Sequence, residues 1–473
     1  MRSSIRTSAW IKGVLALECI WVLAGGAIYL LHTRQPTPPE VIAWLQRQDV
    51  KPLPTAERSR LVRELAGRLS QFNFAQLEQV RFSHTLGRVY GPLPPEEKER
   101  CAELIVPLTI SRILDASRAL PKERRIDFHR RVDLQPRTDV AHDRAAPEFQ
   151  GLRAHQRGRD AELPRWPSRR RAAADGTALG AVSRPGPGAP MNRAMLYRQF
   201  LGELRKLFAR KRTWMGFGVF LALELLIGGL FQIPSARETF RTLIESRGRS
   251  FDDYYSGLTL ALLTMRTTVF FVGTLFLAMV AGEIVAKEVE DGAMRMLLCR
   301  PVNRFRLLAI KFATVSLYAM LLVAFINLAG LAIGLLYAGR GSFFAFGFQD
   351  HISAFHPFHE GLVRYLAALP FLALSLLTVT SLGFMCSCFN MKPVAATVAT
   401  LSVLFTDLTL RAIPFFASLE KWLLTARMSA WLGVFQPIIP WPDIAHDYIM
   451  LLALDASCFV IGWLAFELRD LKA

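Results

Sequence analysis

Acidic residues are in short supply in this chain: 39 Asp and Glu stand against 57 Lys and Arg in 473 residues, a formal net charge of +18. Charged residues make up only 20% of the sequence while 52% is hydrophobic, and the mean hydropathy is positive at +0.27. These values exclude the ordinary soluble chain of two or three domains that the length would otherwise suggest. Cysteine is also scarce. The six present (Cys19, Cys101, Cys299, Cys386, Cys388, Cys458) show no metal-ligand spacing, and four of them (Cys19, Cys386, Cys388, Cys458) lie in apolar segments, where free cysteine packs as a small hydrophobe. Cys386 and Cys388 fall roughly 200° apart around a helix and cannot share a face. No Gly-x-x-x-x-Gly-Lys-Ser/Thr loop is present to cradle phosphates. That excludes ATP hydrolysis by such a loop, and no Ser, His and Asp arrangement suggests a hydrolase.

What the chain does contain is segregated. Residues 1–190 carry 31 Lys and Arg against 20 Asp and Glu, whereas residues 191–473 carry 26 against 19 in a sequence dominated by Leu, Ala, Phe and Val. The second part holds several apolar runs long enough to cross a hydrocarbon core about 30 Å thick. The predicted fold class is therefore all-α and polytopic, in a membrane. Basic residues beside membrane spans act as topology determinants and as contacts to anionic membrane lipids, so nucleic acid is not needed as a partner.

Four regions follow. Residues 1–36 read as an N-terminal transmembrane anchor, apolar from Trp10 to Leu31 apart from Lys12 and Glu18. Residues 37–135 read as short helices of unknown function: Pro38-Pro-Glu40 opens one, and Thr55 is placed to cap the next, whose Leu61, Leu65 and Leu69 recur every four residues. Residues 136–190 are rich in Arg, Ala, Pro and Gly and too poor in apolar residues to fold, so a disordered linker is expected. Residues 191–473 form the membrane domain. Arg2, Arg6 and Lys12 favour a cytoplasmic N-terminus, so one span would leave Met191 outside, whereas the charges beyond it demand Met191 inside. The hypothesis that reconciles these is a functional domain at 191–473 preceded by a fused upstream segment. Expressing 191–473 alone tests it, and failure to insert counts against it.

The membrane domain opens with an interfacial amphipathic helix at 191–212, apolar at Leu196, Phe200, Leu204 and Leu207 and basic on the other side. Six spans are predicted at roughly 214–233, 267–286, 313–338, 366–388, 393–410 and 444–466. Lys and Arg cluster before the first, between the second and third (Lys287, Arg295, Arg300, Arg304, Arg306, Lys311), at Lys392 and after the sixth. Both ends of the domain are then cytoplasmic, in a cell (inner) membrane. Trp431 to Trp441 reads as a re-entrant or interfacial hairpin with both tryptophans at headgroup level.

Between the second and third spans the chain runs Gly282-Glu-Ile-Val-Ala-Lys-Glu-Val-Glu-Asp-Gly-Ala-Met-Arg-Met-Leu-Leu-Cys-Arg-Pro-Val-Asn-Arg304, followed by Lys311. This stretch resembles the type-2 ABC transporter permease family, whose cytoplasmic pattern is Glu-x-Gly-Thr, then Leu-Leu, then Pro-x-Ser-Arg and a later Lys. Glu290, Gly292, Leu297, Leu298, Pro301, Arg304 and Lys311 match, while Ala293 and Asn303 depart without loss of a charge or a helix breaker. Phe466-Glu-Leu-Arg469-Asp470 is similar to the family's Phe-x-x-Arg-Asp ending. The resemblance covers about 191–473 and implies a transmembrane permease subunit of an exporter, itself no enzyme and without a directly bound cofactor. Glu290, Gly292, Leu297, Pro301 and Arg304 would form the loop coupling it to a separate ATPase subunit that uses ATP. A second permease copy or a paralogous permease would complete the pathway. Physically, a charged helix stopped by Arg300-Pro301 is an element a soluble partner can push on, with Arg304, Arg306 and Lys311 anchoring the third span at the lipid surface. The alternative is a non-transporting membrane anchor or assembly factor recruiting a soluble partner through the same loop. A ligand sensor built on residues 37–132 ranks behind both.

Charged residues inside spans are costly and often functional. Glu224, Asn327 and Asp455 are candidate pathway or interspan polar residues, and Asp407 reads as interfacial. Asp350, His351, His356, His359 and Glu360 lie together in one loop, but a hydrated loop accounts for them better than a metal site.

Overall fold

The computed structural model describes residues 2–33, 35–48, 53–82, 86–95, 97–98, 101–102, 104–105, 193–245, 251–294, 303–347 and 352–468. The expected linker at 136–190 and the part of the short-helix region beyond residue 105 lie outside them.

Among the described residues seven helices are long and apolar enough to cross a membrane, one near the N-terminus and six in the second part. The first is α1 (Arg2–Thr33). Then come the short helices α2 (Pro38–Gln46), α3 (Thr55–Leu69), α4 (Phe74–Phe82) and α5 (Leu86–Tyr90). The membrane domain has α6 (Arg193–Phe208), α7 (Lys211–Leu230), α8 (Pro234–Glu245), α9 (Phe251–Tyr254), α10 (Gly257–Glu290) and α11 (Arg304–Ala338). A hairpin of β1 (Phe343–Gly347) and β2 (Ile352–His356) follows, antiparallel with Ala345 opposite Ala354. The chain finishes with α12 (Phe358–Cys388), α13 (Pro393–Ala412), α14 (Leu424–Met428) and α15 (Trp441–Leu468). The polytopic all-α class holds, and the hairpin is a local addition at one end.

The spans begin where the sequence supplies caps and breakers. Ser256 accepts a hydrogen bond from Thr259 N at the start of α10, Asn303 accepts one from Phe305 N at the start of α11, and Pro393 opens α13. Inside α10 the stretch Met265–Gly273 is wound as a π-helix. This helix runs outward well beyond the predicted 267–286, so Arg266 falls within the span.

Among the described residues the two larger hydrophobic cores are separate, and a small third cluster joins Phe251 and Phe344. One of the two joins Val41, Leu45, Leu61, Leu65, Leu69, Phe72 and Val80 in the short-helix module. Thr55 is the first residue of α3 and Pro54 holds the N-cap position, so the predicted Thr55 cap does not form. The larger core runs through the membrane bundle, with Leu277, Tyr318, Leu372, Leu376, Phe384 and Phe466 at its centre. Lipid tails are as apolar as these side chains, so close packing and interhelical polar contacts hold such a bundle together. Outward residues such as Leu226, Leu336 and Val394 are correspondingly exposed. The N-terminal α1 lies along α15, with Gly13 against Leu464. Cys19, expected to pack as a small hydrophobe, is exposed on it, while Cys386, Cys388 and Cys458 are buried as expected and Cys101 is buried in the short-helix module.

Candidate functional site

The end of the bundle that carries the charged 282–304 stretch is organised around Lys311. Its side chain is fully buried, not anchored at the lipid surface as its basic character suggests. The ammonium lies 2.9 Å from Glu203 Oε2 of α6 and 2.8 Å from Glu288 Oε2 of α10. Glu203 also pairs with Lys206 at 2.6 Å, and Arg212 at the start of α7 pairs with Glu283 at 2.6 Å. Partial burial raises the Glu203 carboxyl, but the Lys311 and Lys206 ammoniums outweigh it and hold the group below its ordinary range. Three helices therefore meet at one buried cation. Removing one partner from such a group leaves uncompensated buried charge, at a cost of about 3–5 kcal/mol.

The interfacial helix is fastened at its other side by the turn into α7. Thr213 Oγ1 donates to Leu207 O at 2.6 Å and Trp214 Nε1 to Phe208 O at 2.9 Å, satisfying carbonyls that the end of α6 leaves open. Leu207 is buried in the bundle core, so α6 packs by the apolar face that its sequence marks.

Just beyond this knot, α10 ends. Glu290 is its last residue and is exposed; Asp291 follows, and Gly292 adopts φ +74°, a left-handed conformation that favours glycine. Ala293 and Met294 are helical again, with Met294 buried. The break is thus at Gly292, well before the third span. Leu297, Leu298 and Pro301 lie outside the described residues. Arg304 does not project freely. Its Nη1 donates to Glu467 O at 3.1 Å and Phe466 O at 3.5 Å, covering carbonyls at the end of α15. The two ends of the 290–304 stretch therefore differ: Glu290 and Asp291 are exposed, and Arg304 holds the last span.

The intramembrane candidates are not gathered in one place. Glu224 of α7 and Asn327 of α11 are buried in the first half of the domain, Glu224 beside Gly330 one turn along from Asn327. Asp455 of α15 is buried beside the hydroxyls of Thr378 and Ser381 on α12. Neither carboxyl has a hydrogen-bond partner among the described residues. Asp407 has an ordinary structural role, in which its two oxygens accept Leu424 N at 2.9 Å and Thr425 N at 2.7 Å and so cap α14.

At the opposite end, the segment after α13 folds inward. Trp431 is buried against Phe435, so only the exposed Trp441 suits the predicted headgroup position. Arg364 binds the carbonyls of Val434, Gln436 and Pro437 and pairs with Glu360. His356 is buried and its Nε2 lies 2.8 Å from Phe435 O. Burial pushes its imidazole below the usual histidine range despite that hydrogen bond. His359 is exposed, Asp350 and His351 lie outside the described residues, and no group of three or more metal-ligating side chains occurs among the described residues.

Sequence patterns did not single out Glu203, Lys206 and Glu288, nor Thr264 and Thr268 near Glu224. A signal existed for Glu203: it precedes Leu207 by four positions and so shares the buried side of the amphipathic helix.

Residues 200–389 match the family model described as ABC-2 family transporter protein. This segment is similar to that family, and the match takes in less than half of the chain. The match contains the Lys311 knot, the Gly292 turn, Glu224 and Asn327, but not Asp455. An uncharacterized protein of Bacillus subtilis (strain 168), YhcI, is 30% identical over 115 residues, which are 24% of this chain and 36% of that protein. The chain thus spans about a third of that relative's length. With seven helices long and apolar enough to cross a membrane among the described residues, the protein is a multi-pass membrane protein whose residues 200–389 match that family.

Proposed function

We propose that the chain is the membrane permease subunit of an ATP-binding-cassette exporter, driven by a separate ATPase subunit docking at the 290–304 stretch. Glu290, Gly292, Leu297 and Pro301 provide the docking side, and Arg304 ties that stretch to α15. Both ends of the domain face the cytoplasm of the cell (inner) membrane, and a second permease copy or a paralogous permease completes the pathway. The ATP is bound by the partner. Glu224, Asn327 and Asp455 are the interior polar groups available to a pathway.

The observation that carries this reading is the position of the Lys311 knot behind an exposed turn. Glu290 is two residues from Glu288, whose carboxylate meets Lys311 together with that of Glu203. A push on the turn is transmitted to α10, α11 and α6 at once, because a buried ion group tolerates separation far less than a solvated one. An ATPase that changes its grip on Glu290 during its cycle would move three helices as a unit, which is what alternating access requires.

The full-length protein, extracted in mild detergent, should bring down an ABC ATPase. Substituting Glu290→Ala should weaken that recovery and uncouple ATP turnover from transport. Recovery of no ATPase sinks the reading; recovery of one with turnover indifferent to Glu290→Ala removes the docking assignment.

A further inference from the structure

Glu224 is 1% exposed, and its setting is not simple apolar packing. A Cβ added at Gly330 would stand 3.1 Å from Glu224 Oε1 and 3.0 Å from Thr264 Oγ1. The absence of a side chain at 330 thus makes the notch in which the carboxyl and the threonine hydroxyl come together, between α7, α10 and α11. Thr264 has committed its proton to Ala261 O at 2.9 Å, so it faces the notch as an acceptor. Asn327 lies one turn before Gly330 on the same face of α11. Its Nδ2 donates to Val323 O at 2.6 Å, while its buried Oδ1 has no partner among the described residues. Thr268, one turn beyond Thr264, is likewise buried with its hydroxyl unpaired among them. From α12 the titratable neighbour is Tyr365, whose hydroxyl donates to Asn327 O at 2.9 Å. Arg266, two residues beyond Thr264 on the π-wound stretch, is engaged in an interaction of its own, while neither Glu224 oxygen has a hydrogen-bond partner among the described residues.

The group is therefore a set of oxygen acceptors around a carboxyl: the Thr264 proton and the Asn327 amide are spent on Ala261 O and Val323 O, and no hydrogen bond reaches the carboxyl among the described residues. A bare carboxylate in a bundle surrounded by hydrocarbon is strongly disfavoured. Oxygen donors of this kind satisfy a hard cation or a proton. We infer that Glu224, together with Thr264 Oγ1 and Asn327 Oδ1, forms a site for one monovalent cation, a proton or an alkali-metal ion, inside the membrane domain. The site lies away from the coupling turn and does not depend on the docking of an ATPase there.

The test is infrared difference spectroscopy on the full-length protein in lipid nanodiscs at neutral pH, wild type against Glu224→Gln, with Asp455→Asn as the control for the other interior carboxyl. In alkali-free buffer the wild-type minus Glu224→Gln spectrum should show a protonated-carboxyl band. If that band persists on adding sodium or potassium, the occupant is the proton. If it is replaced by an ionised-carboxylate band that Asp455→Asn retains, the occupant is the alkali ion. An ionised Glu224 in alkali-free buffer overturns the site. Should Glu224→Gln fail to insert, Glu224→Asp supplies the same comparison, because retracting the carboxyl from Gly330 and Thr264 should shift the band. A band indifferent to that retraction also overturns it.

Discussion

The same kinds of residue are handled in opposite ways at two levels of this membrane domain. At the end bearing the Gly292 turn, buried charge is compensated: Lys311 meets Glu203 and Glu288 within 2.9 Å. In the interior, Glu224 and Asp455 are equally buried but have no hydrogen-bond partner among the described residues. The first arrangement fixes helices relative to one another, since every charge depends on the others for its solvation. The second leaves a carboxyl whose charge no neighbouring cation among the described residues compensates. A compensated ion group reads as a structural transmitter, and an uncompensated carboxyl as a place for a ligand.

The sharpest way to break that contrast is to remove the shared cation. Lys311→Met should leave Glu203 and Glu288 buried and facing each other, destabilising the bundle by about 3–5 kcal/mol. The thermal midpoint of the detergent-solubilised protein measures the loss. Converting both carboxylates as well, in Lys311→Met/Glu203→Gln/Glu288→Gln, should return much of that stability, because the penalty comes from unpaired charge and not from lost attraction. If the triple variant is no more stable than the single, the knot is not an interdependent ion group. Glu224→Gln should behave differently. It exchanges one uncharged or cation-neutralised group for an isosteric amide, at a cost of about 1 kcal/mol or less. A loss as large as that of Lys311→Met would erase the distinction between the two levels.

How much of this was written in the sequence differs in the same way. The spans and the amphipathic α6 come from local patterns of hydropathy and charge, and both are found; the turn at Gly292 is not foreseen by them, since they carry the charged helix on to Arg300-Pro301. Lys311 was visible as a motif residue, but its burial was not. Its partner Glu203 is 108 positions away, and nothing in a one-dimensional pattern distinguishes a basic residue facing lipid headgroups from one enclosed by three helices. Trp431 fails for a related reason: tryptophan suits a membrane interface in general, but here the segment folds inward and packs the ring on Phe435. Arg304 looked like a coupling residue and is occupied with the carbonyls of Phe466 and Glu467, from a helix at the far end of the chain. Long-range partners decide what charged residues do, and only the fold supplies them.

Gly292→Ala addresses the link between the turn and the knot. Its φ of +74° should cost an alanine about 1–2 kcal/mol locally. The effect should fall on the turn, read as faster proteolysis between 290 and 304, with a smaller change in the midpoint of the whole bundle. If the midpoint falls as far as in Lys311→Met, the turn and the knot are one structural unit and cannot move as pusher and transmitter.

The smallest expected effect is the most specific to the paired level. Glu203 is held below the ordinary carboxylate range by Lys311 and Lys206, against the upward pull of its burial. A carboxyl depressed in the folded state contributes stability above its unfolded value, and that contribution is lost as pH falls through the depressed one. The hold of α6 on the bundle should therefore be constant from neutral pH down to the normal glutamate range and weaken only below it. A spin label at the exposed Arg198 should report this as a gain in mobility in acid that Glu203→Gln abolishes by being mobile throughout. Loosening at mildly acidic pH, above the ordinary glutamate range, would show that α6 is held by some other group. The Lys311 knot would then anchor α10 to α11 alone, and a push at Glu290 would reach two helices instead of three.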